Sequence, residues 1–371
     1  MNVLQLVSCR GWSSDAYWAA RVSRELERRG HAVTLGCRAG TEQRVISRAA
    51  GEGVRRITTF GFGGGIKPAG DAADVRHLAG LLREVDVVHV HRGKEHWLAA
   101  IANRVGGARR PLVRTRHIVQ AVRPHAGNRW LYRHATDLVV TVSETIRAQY
   151  AASGLLPPAR IVALPGGADV ERFRPRAADP DVRRQLGATD GEPLVGMVAG
   201  LRVMKGHALV LEAAARLRER GVIVHVAFVG QGRWQERIQR QVKDAGLGGH
   251  VTLAGFAADL PEVMAAIDVA LYVPLESDGM SRVVFEYLAA GRALVASRTG
   301  LAPEVLHDGE DSLLVPAGEA TPLAEAITHL AGDRALRAAL GAAGRRLVED
   351  KYSGARLAER LEGLYAGLAR H

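Results

Sequence analysis

Residues 198–206 of this 371-residue chain read VAGLRVMKG. An apolar run ends there, and Gly200, Arg202, Lys205 and Gly206 lead into a stretch of helical periodicity. Two cations beside a helix start suit a diphosphate, lysine as a point charge and arginine as a planar fork. Residues 277–291, SDGMSRVVFEYLAAG, hold a second arrangement of this kind. Asp278 precedes a helix expected over 281–290, and Glu286 falls one and a half turns into it. The N-terminus of such a helix offers unpaired N–H groups and the positive end of a dipole, a ready place for phosphate. Glu286 could then take both hydroxyls of a ribose. A solvated basic loop and an ordinary capped helix would use the same residues, so neither string decides alone.

Weaker signals surround these. Residues 228–232, FVGQG, put Gly230 at a strand end, and residues 253–256, LAGF, do the same for Phe256. A flat nucleobase could lie against such backbone. In the first half, VHVH ends at His91 and TRH at His117, each closing a strand. A neutral imidazole there could bind hydroxyls. Gly11, in CRGW after the first strand, would let a backbone N–H approach a ligand closely, with Trp12 beside it. The segment FGFGGG at 60–65 lacks the GxGxxG spacing and reads as a mobile loop. No GxxxxGK[ST], HExxH or GxSxG string occurs, and no histidine pair has metal-ligand spacing. Cys9 and Cys37 cannot make a disulfide framework or a zinc site unaided.

The elements that must carry these residues follow from periodicity. Short apolar runs at 3–7, 32–35, 54–60, 85–91, 112–116, 138–142 and 161–164 read as strands. Amphipathic stretches lie between them, the clearest over 14–30 with Gly30 as its C-terminal cap. The pattern restarts after Pro175 and Pro180. Strands are expected at 194–198, 222–229, 251–253, 269–273 and 293–297. Helices are expected at 207–220, 235–245, 281–290, 322–332, 334–349 and 353–368. Strand–helix alternation implies parallel, doubly wound sheets. The chain therefore divides at about residue 170 into two α/β domains, 1–170 and 171–352. The last helix, about 353–371, returns to the first domain. Two such domains facing each other would make a cleft, with ligands at the carboxyl ends of strands where strand order reverses.

Composition bounds the rest. Apolar residues make 47% and charged residues 24%, so the chain can build real cores and is not a disordered one. No run of 18 apolar residues occurs, and the N-terminus lacks the basic start of a signal peptide, so a cytoplasmic protein is expected. The net charge is +11, unevenly placed. Residues 1–170 hold 25 Lys and Arg against 13 Asp and Glu, and residues 171–371 hold 25 against 26. One half should thus face something anionic. A nucleic-acid binder is a remote alternative, because no binding motif occurs and the basic residues are scattered.

The motifs, in their order, resemble those of family-4 glycosyltransferases of the GT-B fold. They are RGHAV (29–33), VVHVH (87–91), TRH (115–117), VSE (142–144), LPGGADVERF (164–173), LRVMKG (201–206), VGQG (229–232), SDGMSRVVFEYLAAG (277–291) and PEVLHDGEDSLLVP (303–316). The resemblance implies two Rossmann-like domains across a cleft. It implies transfer of a sugar, with retention of configuration, from a nucleotide-sugar bound by the second domain to an acceptor bound by the first. No metal or cofactor is implied; a UDP-, GDP- or ADP-sugar is the substrate. Lys205 would bind the diphosphate. Glu286 matches the second Glu of the E-x7-E motif and would hold the ribose, and Asp278 matches the first and would contact the donor sugar. Gly279 and the backbone of Met280, Ser281, Arg282 and Val283 would cradle phosphate. His117 matches a cleft histidine near the transferred sugar, Gly11 matches the small-residue loop after strand 1, and His91 and Trp12 would border the acceptor.

Two positions depart from the family. Asp278 is one methylene short, and Gly200 stands where the family often has an arginine, which Arg202 or Arg282 could replace. The basic first domain extends this reading to an anionic, lipid-linked or cell-envelope acceptor such as lipopolysaccharide core. It also suggests peripheral attachment to the cytoplasmic face of the inner membrane through Trp12, Trp97 and Trp130. A nucleotide-sugar epimerase or a sugar phosphorylase of the same fold is the alternative.

Overall fold

The computed structural model describes residues 1–369 except Asp190, Ala258, Asp278 and Met280. Two compact units divide the chain: Met1–Gly167 with Gly354–His371, and Ala168–Ser353.

In the first unit, among the described residues, seven strands form one parallel sheet: β1 Asn2–Val7, β2 Ala32–Arg38, β3 Arg56–Phe60, β4 Val87–Val90, β5 Leu112–Arg116, β6 Leu138–Thr141 and β7 Ile161–Ala163. Their order is β3-β2-β1-β4-β5-β6-β7, so the winding reverses between β1 and β4. Val3, Leu4, Leu6, Val87, Val88 and Val90 are each at most 1% exposed. Such near-continuous apolar runs are what a sheet covered on both faces needs. The helix Ser14–Arg28 follows β1, and its Trp18, Val22 and Leu26 are buried. The closing helix Gly354–Ala369 lies on this unit, with Leu357, Leu361 and Tyr365 buried. Glu362 ties it to Arg29 at 2.5 Å and to His31 at 3.2 Å.

The second unit has a six-stranded parallel sheet among the described residues: β8 Leu194–Val198, β9 His225–Val229, β10 Val251–Gly255, β11 Val269–Tyr272, β12 Ala293–Ser297 and β13 Leu313–Val315. Its order, β10-β9-β8-β11-β12-β13, reverses between β8 and β11.

Several boundaries differ from the sequence reading. β3 begins at Arg56 because Gly53 (φ 98°) turns the chain and the Val54 N–H closes back on the Ala49 carbonyl. β13 was not expected; its three residues at the sheet edge carry too little periodicity to register. The segment after β3 is pinned and not a free loop. Asp74 accepts from the Gly61 and Phe62 N–H groups at 2.8 Å each, and Lys94 donates to the Gly65 carbonyl at 2.8 Å. Phe62 stacks on Phe60 with ring centroids 4.9 Å apart. Where the pattern restarts, a short helix not expected from the sequence spans Pro180–Gln185, with Asp179 as its cap.

Candidate active site

The reversal point of the second sheet brings the loops after β8 and β11 side by side. The loop after β8 is stitched by backbone hydrogen bonds: Ala199 N–H to Val229 O at 3.0 Å, Leu201 N–H to Gln231 O at 3.1 Å and Leu275 N–H to Met204 O at 2.9 Å. Glycine is required at two of its neighbours. A Cβ on Gly206 (φ 85°) would stand 2.0 Å from the Val273 carbonyl oxygen, and one on Gly230 (φ 149°) 2.0 Å from that of Ala199. These contacts hold the turn Val203–Lys205 at the start of the helix His207–Glu219. Arg202 is exposed there and Lys205 half-buried.

Across the reversal point, Ser281 precedes the helix Arg282–Ala289, whose first turn begins with the N–H groups of Arg282 and Val283. Glu286 is 2% exposed, and its carboxylate lies 3.5 Å from Arg282 Nε. Tyr287 anchors this helix to β8 by accepting from the Val198 N–H at 2.6 Å. Gly279 adopts φ 83°, the left-handed region. Asp278 and Met280 lie outside the described residues. Phe256 follows β10 with its side chain 65% exposed. A Cβ on Gly200 would meet nothing closer than Gln231 O at 3.7 Å, and Arg202 Nε lies 3.8 Å from that point. A Cβ would therefore be accommodated at 200, with the Arg202 side chain beside it. His207, which the sequence reading passed over, packs edge-on to Phe228 at 5.0 Å; burial pushes its pKa down to about 4.

The first unit holds a different set at its own reversal point. Gln5, His89 and His91 alternate inward from β1 and β4, and Thr115 and His117 do so from the end of β5. Gln5 pairs with His89 in register, so these polar residues share one face. His91 Nε2 lies 2.8 Å from Gln5 Oε1, and His91 Nδ1 3.1 Å from His117 Nε2. His89 Nε2 lies 2.6 Å from Thr115 Oγ1, and His89 Nδ1 meets the Tyr365 hydroxyl. Trp18 covers all three imidazoles, with ring centroids 5.3–5.7 Å away. Burial above all, then the neighbouring imidazoles and Arg114, holds His89 and His91 neutral; burial, opposed by Asp15 and aided by Arg114, brings the pKa of His117 down to about 4. Nearby, Asp15 accepts from the Arg92 guanidinium and from Ser13. Burial works against its charge, yet these bonds bring its pKa down to about 2.

A Cβ on Gly11 would meet no atom within 4 Å, so packing does not demand glycine there. Trp12 is half-buried, edge-on to Tyr17 at 6.2 Å and packed on the cluster that includes Val7 and Cys9. The sequence reading missed Gln5, Thr115 and Tyr365. The alternation QLV, VHVH and VRTRH could have flagged the first two; nothing local marks Tyr365. Among the described residues, no three His, Cys, Asp or Glu side chains gather as a metal site.

Comparison with known proteins accounts for nearly the whole chain. The family "Glycosyltransferase Family 4" matches residues 16–172 and "Glycosyl transferases group 1" residues 179–347. A Mycobacterium tuberculosis protein named GDP-mannose-dependent alpha-(1-6)-phosphatidylinositol monomannoside mannosyltransferase is 30% identical over 379 residues, covering 95% of this chain and 94% of that one. The chain belongs to the family-4 glycosyltransferases. The protein of the same name from Mycolicibacterium smegmatis is 34% identical to this glycosyltransferase over 243 residues, which is 61% of this chain and 62% of that one. Among solved structures, HepE of Anabaena in complex with UDP superposes with a TM-score of 0.83 at 21% identity, covering 99% of this chain and 100% of the other. The fold of this glycosyltransferase is thus GT-B, as its sequence motifs imply.

Proposed function

We propose that this enzyme transfers a sugar from a nucleotide diphosphate donor to a hydroxyl of an anionic, lipid-linked acceptor, with retention of configuration. The observation that carries the reading is the second-unit reversal point: Arg202 and Lys205 before one helix, the first-turn N–H groups of Arg282 and Val283 at the start of another, and the buried carboxylate of Glu286. Cations and helix-end amides together suit a diphosphate whose charge grows as the sugar leaves. Lys205 and Arg202 neutralise that charge, and Arg202 takes the place of the arginine missing at Gly200. Glu286 holds the ribose hydroxyls, Asp278 the donor sugar, and Gly279, Met280, Ser281 and the Gly230 turn line the donor, with Phe256 beside the base. The bond from the anomeric carbon to the diphosphate oxygen breaks as the acceptor oxygen bonds that carbon on the same face. The acceptor's proton passes to the departing diphosphate oxygen, so no metal or carboxylate base is needed.

The first unit would bind the acceptor around Gly11, Trp12 and His117; His91, expected to border the acceptor, is 2% exposed with both ring nitrogens bonded and backs this set from within. The names of the mycobacterial relatives support GDP-mannose as donor and a phosphatidylinositol mannoside as acceptor. The basic first half supports an anionic acceptor, and lipopolysaccharide core is the other candidate of that charge. A membrane-facing surface is supported by the helix Gly93–Val105, which carries Trp97, Ile101 and Val105 on one stripe, with exposed Arg104 on the same helix and Arg129 on the next. Trp130 stacks on Trp97 at 5.8 Å, and Val105 is 75% exposed. We place the enzyme on the cytoplasmic leaflet.

Thermal unfolding with GDP-mannose, UDP-glucose and an ADP-sugar tests the donor. At about 100 times its dissociation constant the right one stabilises by about 2.7 kcal/mol. Lys205→Ala should keep the melting temperature, lose that shift and slow transfer by about 10²-fold or more. Turnover near wild type would overturn the assignment.

A further inference from the structure

The polar residues under the closing helix form one hydrogen-bonded chain, and its direction can be read. Gln5 Oε1 only accepts, so His91 Nε2 carries a hydrogen and donates to it at 2.8 Å. His91, neutral, then has an unprotonated Nδ1, which accepts from His117 Nε2–H at 3.1 Å. His117, also neutral, is left with an unprotonated Nδ1, and that nitrogen is buried without a hydrogen-bond partner. The other end of the chain runs in the same sense. Gln5 Nε2–H donates to the Tyr365 hydroxyl at 3.4 Å, which donates in turn to His89 Nδ1, and His89 Nε2–H donates to Thr115 Oγ1 at 2.6 Å. Each bond then has one hydrogen and one acceptor.

The sense of the whole chain turns on a single amide. Were the Gln5 amide reversed, its N–H would donate to His91 Nε2, every bond would run the other way, and His117 would end as a buried N–H donor. Gln5 is 0% exposed in the middle of β1, an apolar strand that has no packing use for an amide. The charged groups around His117 are Asp15 at the start of the helix Ser14–Arg28, Arg92 after β4, and Arg114 and Arg116 on β5.

We propose that Gln5, acting through His91, fixes the tautomer of His117 so that its Nδ1 offers a lone pair to a substrate hydroxyl. Gln5 and His91 are thus positioning residues for the transfer. This rests on the glycosyl-transfer reading for the identity of the hydroxyl, but not for the tautomer. An acceptor nitrogen at this place selects ligands that donate, a sugar or acceptor O–H, and disfavours an ether or deoxy analogue at the same position.

The test uses full-length enzyme labelled with 15N-histidine, read by long-range 1H–15N correlation, with His117 assigned from the spectrum of His117→Asn. The expected wild-type result is a protonated Nε2 and an unprotonated Nδ1 on His117. Gln5→Met keeps the volume and removes the acceptor; the two His117 tautomers should then mix, and kcat should fall about tenfold with the donor KM little changed. Gln5→Glu restores an oxygen acceptor and should recover both the tautomer and most of the rate. If Gln5→Met does not fold, Tyr365→Phe removes only the hydroxyl that orients the amide and should loosen the same tautomer. A protonated His117 Nδ1 in the wild type overturns the proposal. So does an unchanged tautomer with an unchanged kcat in the folded variant. A tautomer as stated, in an enzyme that turns over no activated sugar, instead overturns the glycosyl-transfer reading and leaves the relay standing.

Discussion

Asp15 and the buried histidines set how this protein meets acid. Asp15 has its pKa lowered from the ordinary 3.8 to about 2, chiefly by the Arg92 guanidinium working against burial. A carboxylate depressed on folding contributes stability above its unfolded pKa and loses it as pH falls through the folded one. The gap corresponds to about 2 kcal/mol. His117 and His207 are lowered from 6.5 to about 4, with burial the largest cause. They too favour the folded state above 6.5 and withdraw that support as pH falls toward 4, because the unfolded chain takes the proton first. Denaturant unfolding measured at a series of pH values should therefore show stability declining from about pH 6.5 to 4 and again below 4. Asp15→Asn should remove the second decline and lower neutral-pH stability by about 2 kcal/mol. A profile flat from pH 7 to 3 would contradict both attributions.

The elements hold their loops through close backbone contact, and glycine is the means. The helix His207–Glu219 starts directly after Gly206, whose φ of 85° and 2.0 Å approach to the Val273 carbonyl leave no room for a Cβ. That contact links the loops after β8 and β11, the two that carry Lys205 and the start of the helix Arg282–Ala289. Gly206→Ala should destabilise the second unit by more than about 1 kcal/mol, since a β-carbon meets both strain and a backbone oxygen. The variant should also bind the donor more weakly than its residual fold would suggest, because the cation loop and the helix start move apart. Calorimetric unfolding with and without donor separates the two effects. An alanine variant of wild-type stability and affinity would show that the loops do not depend on this contact. By contrast, Gly11→Ala should leave stability unchanged, since a Cβ there meets nothing within 4 Å.

At the scale of the whole chain, charge is divided as the units are. The basic excess falls in residues 1–170, and the exposed stripe of Ile101 and Val105 beside Arg104 sits in the same unit. Exposed apolar side chains beside cations suit an anionic bilayer, where each basic residue adds about 1 kcal/mol of attraction. No helix among the described residues is long and apolar enough to cross a membrane. The enzyme should float with vesicles containing anionic phospholipid and stay behind with neutral ones, and 0.5 M salt should weaken the association. Ile101→Asp with Val105→Asp should abolish flotation while transfer to a water-soluble acceptor analogue persists. Equal recovery with both kinds of vesicle, or none with either, would remove the membrane from this account.

Strand and helix periods, the division near residue 170 and the return of the last helix to the first unit are all legible in the sequence. Each depends on residues close together in the chain, where apolar spacing and turn residues carry the signal. The glycosyltransferase motifs are legible for the same reason, as short strings at strand ends. The order of strands within each sheet is not a local property. It fixes the reversal points, and with them the approach of the loop 199–206 to the helix Arg282–Ala289. Gln5, His89, Thr115, His117 and Tyr365 span 360 positions, and no string joins them. Strand parity aligned four of these side chains on one face. Only the register between strands and the packing of the closing helix over that face completed the chain of hydrogen bonds, because long-range pairing is decided by what the entire core can bury at once.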